Sequence, residues 1–187
     1  FLITYVFFQY GSLEKNYQEL QIYIFSSQDI LNGQYYRLVT ALSLHSDFWH
    51  YLSNLFALYL LSKLANNIYG NLSSLWLIIF SAILGNFFNL LYYYNEVHLS
   101  AGSSTAVFST LGLLAGHSFR SSFKKQTKQY LRHYFTPLIS ALALLAILGT
   151  GGENVDFSAH FFGLLAGVIT SFSYLINSPP ALSNNRY

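Results

Sequence analysis

Apolar stretches alternate with short polar segments along most of this chain. Five stretches, at residues 51–65, 72–93, 104–119, 135–149 and 157–176, predict membrane-spanning helices. Several are shorter than the roughly 20 residues of a comfortable span, so we expect some helices to begin below the membrane surface. The apolar run at residues 1–10 is too short to cross a bilayer and is interpreted as the end of a span that begins upstream. The pattern predicts an all-α, multi-pass membrane helix bundle whose first helix is truncated.

Helix-boundary residues support these spans. Thr136-Pro137 is typical of an N-cap followed by proline at the first helical position, and Asp156 can cap the last span. Pro179-Pro180 closes that span. The segment between Tyr10 and Tyr51 mixes polar and aromatic residues, and we interpret it as a long loop that folds back on the bundle or lies in the interface.

The composition agrees with a membrane protein. Hydrophobic residues make up 53% of the chain and charged residues 9%, whereas soluble domains carry about 25% charged residues. No linker divides the sequence, so we predict a single domain over residues 1–187. Cysteine is absent, which excludes a disulfide, a thiolate metal site and a thiolate nucleophile.

The basic residues predict the topology, because alternating spans distribute them unevenly between the two sides. Lys15 and Arg37 fall on one side of the membrane. The other basic residues fall on the opposite side, and they are Lys63, Arg120, Lys124, Lys125, Lys128, Arg132 and Arg186. The positive-inside rule makes the richer side cytoplasmic. All seven acidic residues fall on the opposite side. The basic stretch at residues 120–132 is interpreted as a topology anchor beside anionic lipids, and no nucleic-acid partner is implied.

Four polar side chains stand at the starts of the three spans that enter from the non-cytoplasmic side. They are His50 and Asn54, then Ser104, then His160. Since these helix starts lie at similar depth, we expect the four side chains to meet in the outer half of the membrane. A serine hydroxyl becomes a nucleophile when an imidazole takes its proton, and the oxyanion that follows needs hydrogen-bond donors. The set therefore predicts nucleophilic catalysis.

Ser104 follows Gly102 and Ser103 and precedes an apolar run, which puts it at a helix N-terminus. Backbone N–H groups there lack intrahelical partners and favour negative charge. The alternative is that Ser103 or Ser104 only caps the helix.

His160 lies in the first turn of the last span, where the helix dipole favours the neutral imidazole that a general base requires. It stands beside a stripe of small residues, Ala159, Gly163 and Gly167, and the Ser104 helix has small positions of its own at Gly112 and Gly116. Such stripes let helices pack closely, which would bring Ser104 within hydrogen-bonding reach of His160. The alternative is a buried histidine bonded to a backbone carbonyl.

His50 and Asn54 are four residues apart on one helix face, and both can donate hydrogen bonds to an oxyanion. A metal site at His45, His50 and His160 is a competing hypothesis, but the sequence has no HExxH pattern. The remaining histidines, His98, His117 and His133, are predicted to be solvated in loops.

At these residues the sequence resembles the rhomboid family of intramembrane serine proteases. Tyr36-Arg37, followed by His45 and by His50 with Asn54, is similar to the family's aromatic-Arg segment and HxxxN motif. The run from Gly102 to Phe108 resembles the GxSx motif, and Ala159-His160 followed by Gly163 and Gly167 resembles AHxxGxxxG. Gly70 and Gly85-Asn86 also suit the third helix of the family.

The resemblance implies a six-helix core and a Ser–His dyad without an aspartate, acting with water on transmembrane segments of membrane-protein substrates in a lipid environment. By resemblance Ser104 is the nucleophile, His160 the general base and acid, and His50, Asn54 and the Ser104 N–H the oxyanion hole. Phe108 would support the His160 ring, and the other supporting positions are Arg37, Gly102, Ala159, Gly163 and Gly167. No metal or cofactor is implied.

Two positions depart from the family pattern. Thr105 follows the nucleophile where glycine is commonest, which would tighten the approach to the oxyanion or to helix six. Phe161-Phe162 replaces smaller residues after His160.

Two other function classes share some of these features. A catalytically weak rhomboid-like protein that binds membrane clients without cleaving them would have the same fold. A transporter or channel would need polar residues through the whole bilayer, whereas these cluster in the outer half. The short loops favour a bacterial inner (plasma) membrane over an organelle membrane, with the active site toward the non-cytoplasmic side.

Overall fold

Four long helices dominate the computed structural model, which describes residues 13–124 and 156–177. Four of the five expected spans are therefore helical; residues 1–10, the span at 135–149, the Thr136-Pro137 cap and Pro179-Pro180 lie outside the described residues. In chain order the elements are α1 (Leu13–Leu20), β1 (Phe25–Ser26), α2 (Ser27–Leu31), α3 (Arg37–Thr40), a 3-10 turn (Ala41–Ser43), α4 (Phe48–Tyr69), α5 (Asn71–Tyr92), β2 (Leu99–Ser100), α6 (Ser104–Lys124) and α7 (Phe157–Asn177).

Within the described part of the chain, two helices are long and apolar enough to cross a membrane. They are α5, at Asn71–Tyr92, and α7 over Phe157–Tyr174. Helices α4 and α6 have 22 and 21 residues but carry more polar side chains. Both extend beyond the apolar runs that predicted them, because polar residues continue each helix.

Helix α6 forms the centre of the bundle. Every residue from 105 to 116 is buried, including Ser109 and Thr110, whose exposed fraction is 0%. Their hydroxyl groups donate to the Ala106 carbonyl oxygen at 3.0 and 2.7 Å, which satisfies them inside the apolar core. A helix buried on all sides must have neighbours on every face, and α4, α5 and α7 all pack against α6.

Helices α6 and α7 approach each other through glycine. The glycines in this contact are Gly112 and Gly116 of α6 and Gly163 and Gly167 of α7. A Cβ atom at Gly163 would lie 2.7 Å from the Thr105 carbonyl oxygen, and one at Gly167 would meet the Ser109 carbonyl oxygen. The close packing predicted from the small-residue stripes is confirmed.

The segment before α4 is more structured than the loop expected from its sequence. Its buried Arg37 side chain donates to the carbonyl oxygens of Gln21 at 2.8 Å and Ile24 at 3.0 Å, and it pairs with Asp29 at 3.1 Å. Strand β1 pairs antiparallel with β2, which precedes α6. Arginine therefore holds this segment together, and the strand pair ties it to the chain that leads to Ser104.

Candidate active site

The starts of α4, α6 and α7 converge at one end of the bundle. Ser104 is the first residue of α6, and His50 and His160 lie in the first turns of α4 and α7. The ring of Phe108 in α6 stacks on that of His160, with centroids 4.4 Å apart and planes at 23°. The structure thus brings together the residues that the sequence placed at one depth.

The two serines at the start of α6 have different surroundings. Ser103 Oγ lies 2.9 Å from His45 Nε2, and the Ser103 N–H donates to the same nitrogen at 3.3 Å. Ser104 Oγ makes no hydrogen bond to any residue that the structure describes. Ser103 is therefore bonded to His45, whereas no described residue bonds the hydroxyl of Ser104.

Gly102 keeps a small space open between Ser104 and His50. Its φ of +143° is a conformation that glycine adopts without strain. A Cβ atom there would lie 3.0 Å from His50 Cε1, 3.2 Å from His50 Nε2 and 3.5 Å from Ser104 Oγ. The serine hydroxyl and the histidine Nε2 thus border the same space, which any other residue at this position would fill.

The ring of His50 is held by the turn that precedes α4. Asp47 caps the helix by accepting from the His50 N–H at 2.9 Å, and this bond is the main cause that lowers the pKa of Asp47. Ser46 Oγ lies 2.9 Å from Asp47 Oδ2 and 3.1 Å from His50 Nδ1, and the tautomer of His50 decides which of the two accepts from the hydroxyl. The other ring nitrogen of His50, Nε2, faces Gly102.

Asn54 lies one turn below His50 and has an unused donor. The residue is 8% exposed, and its Nδ2 is buried with no hydrogen-bond partner among the described residues. A buried N–H group without an acceptor is costly, typically by about 1–3 kcal/mol. Such a group fits a site that supplies the acceptor only when substrate is bound.

His160 is buried, with an exposed fraction of 7%. Its backbone N–H donates to the Asp156 carbonyl oxygen at 3.3 Å, and its Nδ1 has no partner in the described residues. The expected hydrogen bond between Ser104 and His160 is not formed in the residues described here. In enzymes without substrate such bonds are often long and form only in the complex.

Thr105, the residue that departs from the family pattern, fits a notch between two glycines. Its methyl carbon lies 3.0 Å from the Cβ position of Gly85 in α5 and 3.2 Å from that of Gly163 in α7. The expected tightening is thus found toward the helix that carries His160. The second departure, Phe161-Phe162, lines a cavity of about 500 Å³ beside Tyr92 and Asp156.

Three histidines have roles that the sequence did not indicate. Burial and then the nearby His50 lower the pKa of His45 to about 4, so the ring that accepts from Ser103 is neutral. His98 was predicted to be solvated, which is wrong: its Nε2 lies 2.8 Å from Asp156 Oδ2. His117 was also expected in a loop, but it lies within α6 with its ring edge against Tyr69. His133 lies outside the described residues.

No group of three or more histidine, aspartate or glutamate side chains in residues 13–124 and 156–177 is placed to hold a metal ion. The partners of His45 and His98 come from other elements, 58 residues away in each case. Their roles therefore depend on tertiary structure, and no local pattern in the sequence reports them.

Comparison with known proteins settles the family. The model of the Rhomboid domain matches residues 32–177, which include every residue of the site described above. This chain belongs to the rhomboid family. The family is embedded in membranes, and the mostly helical described structure, with two helices long and apolar enough to cross a membrane, agrees with a rhomboid fold.

Rhomboid relatives align with this chain at low identity. A Bacillus subtilis (strain 168) protein named as a candidate rhomboid protease is 28% identical over 145 residues, which are 76% of this chain and 69% of the relative. Rhomboid-like protease 3 of Toxoplasma gondii is 33% identical, over 73% of this chain and 51% of its own length. Rhomboid protease GluP of Bacillus subtilis is 28% identical, over 74% of this chain and 26% of its own. All three relatives are named as proteases, or candidate proteases, of the rhomboid family.

Proposed function

We propose that this rhomboid is an intramembrane serine endopeptidase that cleaves transmembrane segments of membrane-protein substrates. Ser104 is the nucleophile, and His160 is the general base and acid. The observation that carries the proposal is the space at Gly102, which Ser104 Oγ and His50 Nε2 border together. A nucleophile and an oxyanion donor must flank one small space if both are to reach the same carbonyl group.

The chemistry follows from these positions. Ser104 Oγ attacks the scissile carbonyl carbon while its proton passes to His160, and the carbonyl oxygen becomes an oxyanion. The tetrahedral intermediate collapses, the C–N bond breaks, and His160 gives its proton to the leaving amine. Water then attacks the ester on Ser104 with His160 again acting as base, which releases the second product and restores the serine.

The oxyanion is stabilised by His50, Asn54 and the Ser104 N–H. The unused Nδ2 of Asn54 supports this assignment, because an acceptor that arrives with substrate removes the cost of burying it. His50 donates from Nε2 in the neutral tautomer that carries its proton there, with Nδ1 accepting from the Ser46 hydroxyl.

The remaining assignments complete the proposal. Gly102, Phe108, Ala159, Gly163, Gly167 and Arg37 support the site without reacting. The charge distribution along the chain supports an active site toward the non-cytoplasmic side of a multi-pass protein, and the short loops support a bacterial inner membrane. Substrates would be cleaved where small, helix-breaking residues expose a peptide bond, and water must reach the same point.

A second candidate function is binding of membrane clients with little or no cleavage. The observation that favours it is the absence of a hydrogen bond between Ser104 and His160 in the described residues. The two functions differ in whether substrate binding brings the serine and histidine together.

The test reconstitutes the protein with a fluorogenic transmembrane peptide and compares wild type with Ser104→Ala and His160→Ala. We expect both substitutions to abolish cleavage and a fluorophosphonate to label Ser104. Ser103→Ala is the matched control, since Ser103 bonds His45, and it should retain most activity. Unchanged cleavage by Ser104→Ala would contradict the proposal. Binding of the peptide by a wild type that neither cleaves nor labels would favour the second function.

A further inference from the structure

A hydrogen-bonded pair of side chains joins the chain before α6 to the start of α7. His98 Nε2 lies 2.8 Å from Asp156 Oδ2, and the His98 ring stacks on Tyr93 with centroids 3.8 Å apart and planes at 7°. Burial alone would raise the pKa of Asp156, but hydrogen bonds from His98, Ser158 and the Ala159 N–H hold it well below its usual range. Asp156 is therefore a carboxylate with a fixed set of donors.

The Asp156 carboxylate also fixes the helix turn that carries His160. Its Oδ1 accepts from the Ala159 N–H at 3.0 Å, which is an N-cap bond one residue before His160. Its Oδ2 accepts from Asn89 of α5 at 3.2 Å. Asp156 thus attaches the first turn of α7 to α5 as well as to His98.

His98 is anchored on the other side by its backbone. Its N–H donates to Ser27 Oγ at 2.9 Å, and its carbonyl oxygen accepts from the Ser27 N–H at 3.1 Å. Strand β2 continues this pairing, and the Gly102 N–H then donates to the Ala41 carbonyl oxygen at 2.9 Å. The backbone from His98 to Gly102 is therefore held in place up to two residues before Ser104.

The two proposed catalytic residues have no direct bond to hold them in register. Their relative position depends on the elements that carry them, which meet through glycine inside the bundle and through His98 and Asp156 at its end. Neither His98 nor Asp156 makes a hydrogen bond to Ser104 or to the His160 ring in the contacts described, and the Asp156 carboxylate acts on that ring by charge alone. Their effect on the distance between Ser104 and His160 would pass through the backbone of both segments.

We propose that His98 and Asp156 are positioning residues that hold the segment leading to Ser104 in register with the helix turn carrying His160. This rests on the proposed function, in which those two side chains react together. The pair supplies an acid that acts on the backbone beside the histidine, whereas the acid of a catalytic triad acts on the imidazole itself.

The test distinguishes the contribution of the hydrogen bond that His98 makes to Asp156 from that of the stacking of its ring on Tyr93. His98→Phe keeps the stack on Tyr93 but removes the donor, and His98→Gln keeps a donor at the position of Nε2. Asp156→Asn keeps an N-cap of similar strength but removes the charge. Thr40→Val is the matched control, because it breaks a bond of 2.7 Å to the Tyr23 carbonyl in the same outer region without touching either segment.

Two rates are measured for each variant: labelling of Ser104 by a fluorophosphonate, and cleavage of the transmembrane peptide. Misplacement of reacting groups by about 1 Å can cost about 100-fold in rate, so we expect His98→Phe and Asp156→Asn to lower labelling and kcat by roughly 10- to 100-fold. KM should stay within about twofold of wild type, since neither residue contacts the site where substrate reacts. His98→Gln should recover most of the rate, and Thr40→Val should match wild type.

The double variant His98→Phe/Asp156→Asn should be no slower than Asp156→Asn alone, because the contact that His98→Phe removes is among those that Asp156→Asn already weakens. Wild-type labelling rates in His98→Phe, a raised KM with unchanged kcat, additive effects in the double variant, or failure of His98→Gln to rescue would each overturn the positioning role. Absence of labelling at Ser104 in wild type would instead overturn the proposed function and this inference with it.

Discussion

The two ends of the contact between α6 and α7 are built in different ways. Inside the bundle the contact is backbone against backbone, where Gly167 faces the Ser109 carbonyl and Gly112 faces that of Leu164. At the end where both helices begin, which we call the outer end, the contact is made by side chains, such as the Phe108 ring on the His160 ring. A backbone contact leaves no room for adjustment, whereas side chains can turn. The comparison indicates that glycine sets the helix spacing, and the side chains that we propose to react lie at the outer end.

The largest effect is expected at the outer end, in Asn54→Ala. Removal of one oxyanion donor typically lowers the rate by about 10²–10³-fold. The free energy of unfolding should not fall, because the lost Nδ2 is a buried donor without a partner in the described residues. Peptide cleavage and unfolding in mixed micelles measure the two quantities. The exposed neighbour Ser53, changed to alanine, is the control.

A fall in the free energy of unfolding of Asn54→Ala that accounts for its loss of cleavage would contradict the comparison between the two ends of the helix contact. Asn54 would then support the fold, as the glycines do, and would not act as a donor held for substrate.

The second prediction tests the interior, with Gly167→Ala. The new Cβ would meet the Ser109 carbonyl oxygen, which is backbone and cannot move aside, so α6 and α7 must separate. Overpacking of this kind costs about 3 kcal/mol of the free energy of unfolding. Ile169→Val, on the exposed side of the same helix, is the control and should unfold like wild type. Wild-type stability of Gly167→Ala would show that the spacing is set elsewhere.

The sequence predicted the interior contact and the meeting of the proposed site residues at helix starts because both depend on local periodicity. Gly163 and Gly167 are four residues apart, as are His50 and Asn54, so each pair shares a helix face whatever the rest of the chain does. Ser104 and Asp156 were likewise placed at helix starts by their neighbours in the chain. Helix starts and faces can be predicted in this way.

What the sequence could not predict are contacts between distant segments. His98 looks solvated beside Glu96 and Val97, and its pairing with Asp156 depends on how the chain before α6 folds. Thr105 was expected to tighten one of two approaches, and the structure shows that its methyl group fits between Gly163 of α7 and Gly85 of α5. No periodicity connects these residues, so their contacts required the structure.

The third prediction concerns the outer end at low pH. Burial lowers the pKa of His45 to about 4, so between pH 6.5 and 4 the unfolded chain binds a proton that the folded chain excludes. The corresponding stability is present above pH 6.5 and is lost as the pH falls. From pH 7 to pH 5 the loss is about 2 kcal/mol for this residue.

His45→Gln keeps an acceptor for Ser103 but removes the titration. We expect its free energy of unfolding to fall less than that of wild type between pH 7 and pH 5. His50 and Asp47 remain as neighbouring titratable groups in both proteins, so the difference between the two curves isolates His45. Parallel curves for wild type and variant would contradict the assignment.

The smallest effect is expected where the two kinds of contact meet, at Thr105. Thr105→Ser removes the methyl group that fills the notch between Gly85 and Gly163, and loss of one buried methyl costs about 1 kcal/mol of stability. Labelling of Ser104 should hardly change, because the glycines deeper in the contact still fix the spacing. Gly85→Ala should then lower the free energy of unfolding less in Thr105→Ser than in wild type. In the control background Thr110→Ser, Gly85→Ala should cost as much stability as it does in wild type. A loss of labelling as large as the loss of cleavage in Asn54→Ala would show that Thr105, and not the interior glycines, sets the distance between the two helices.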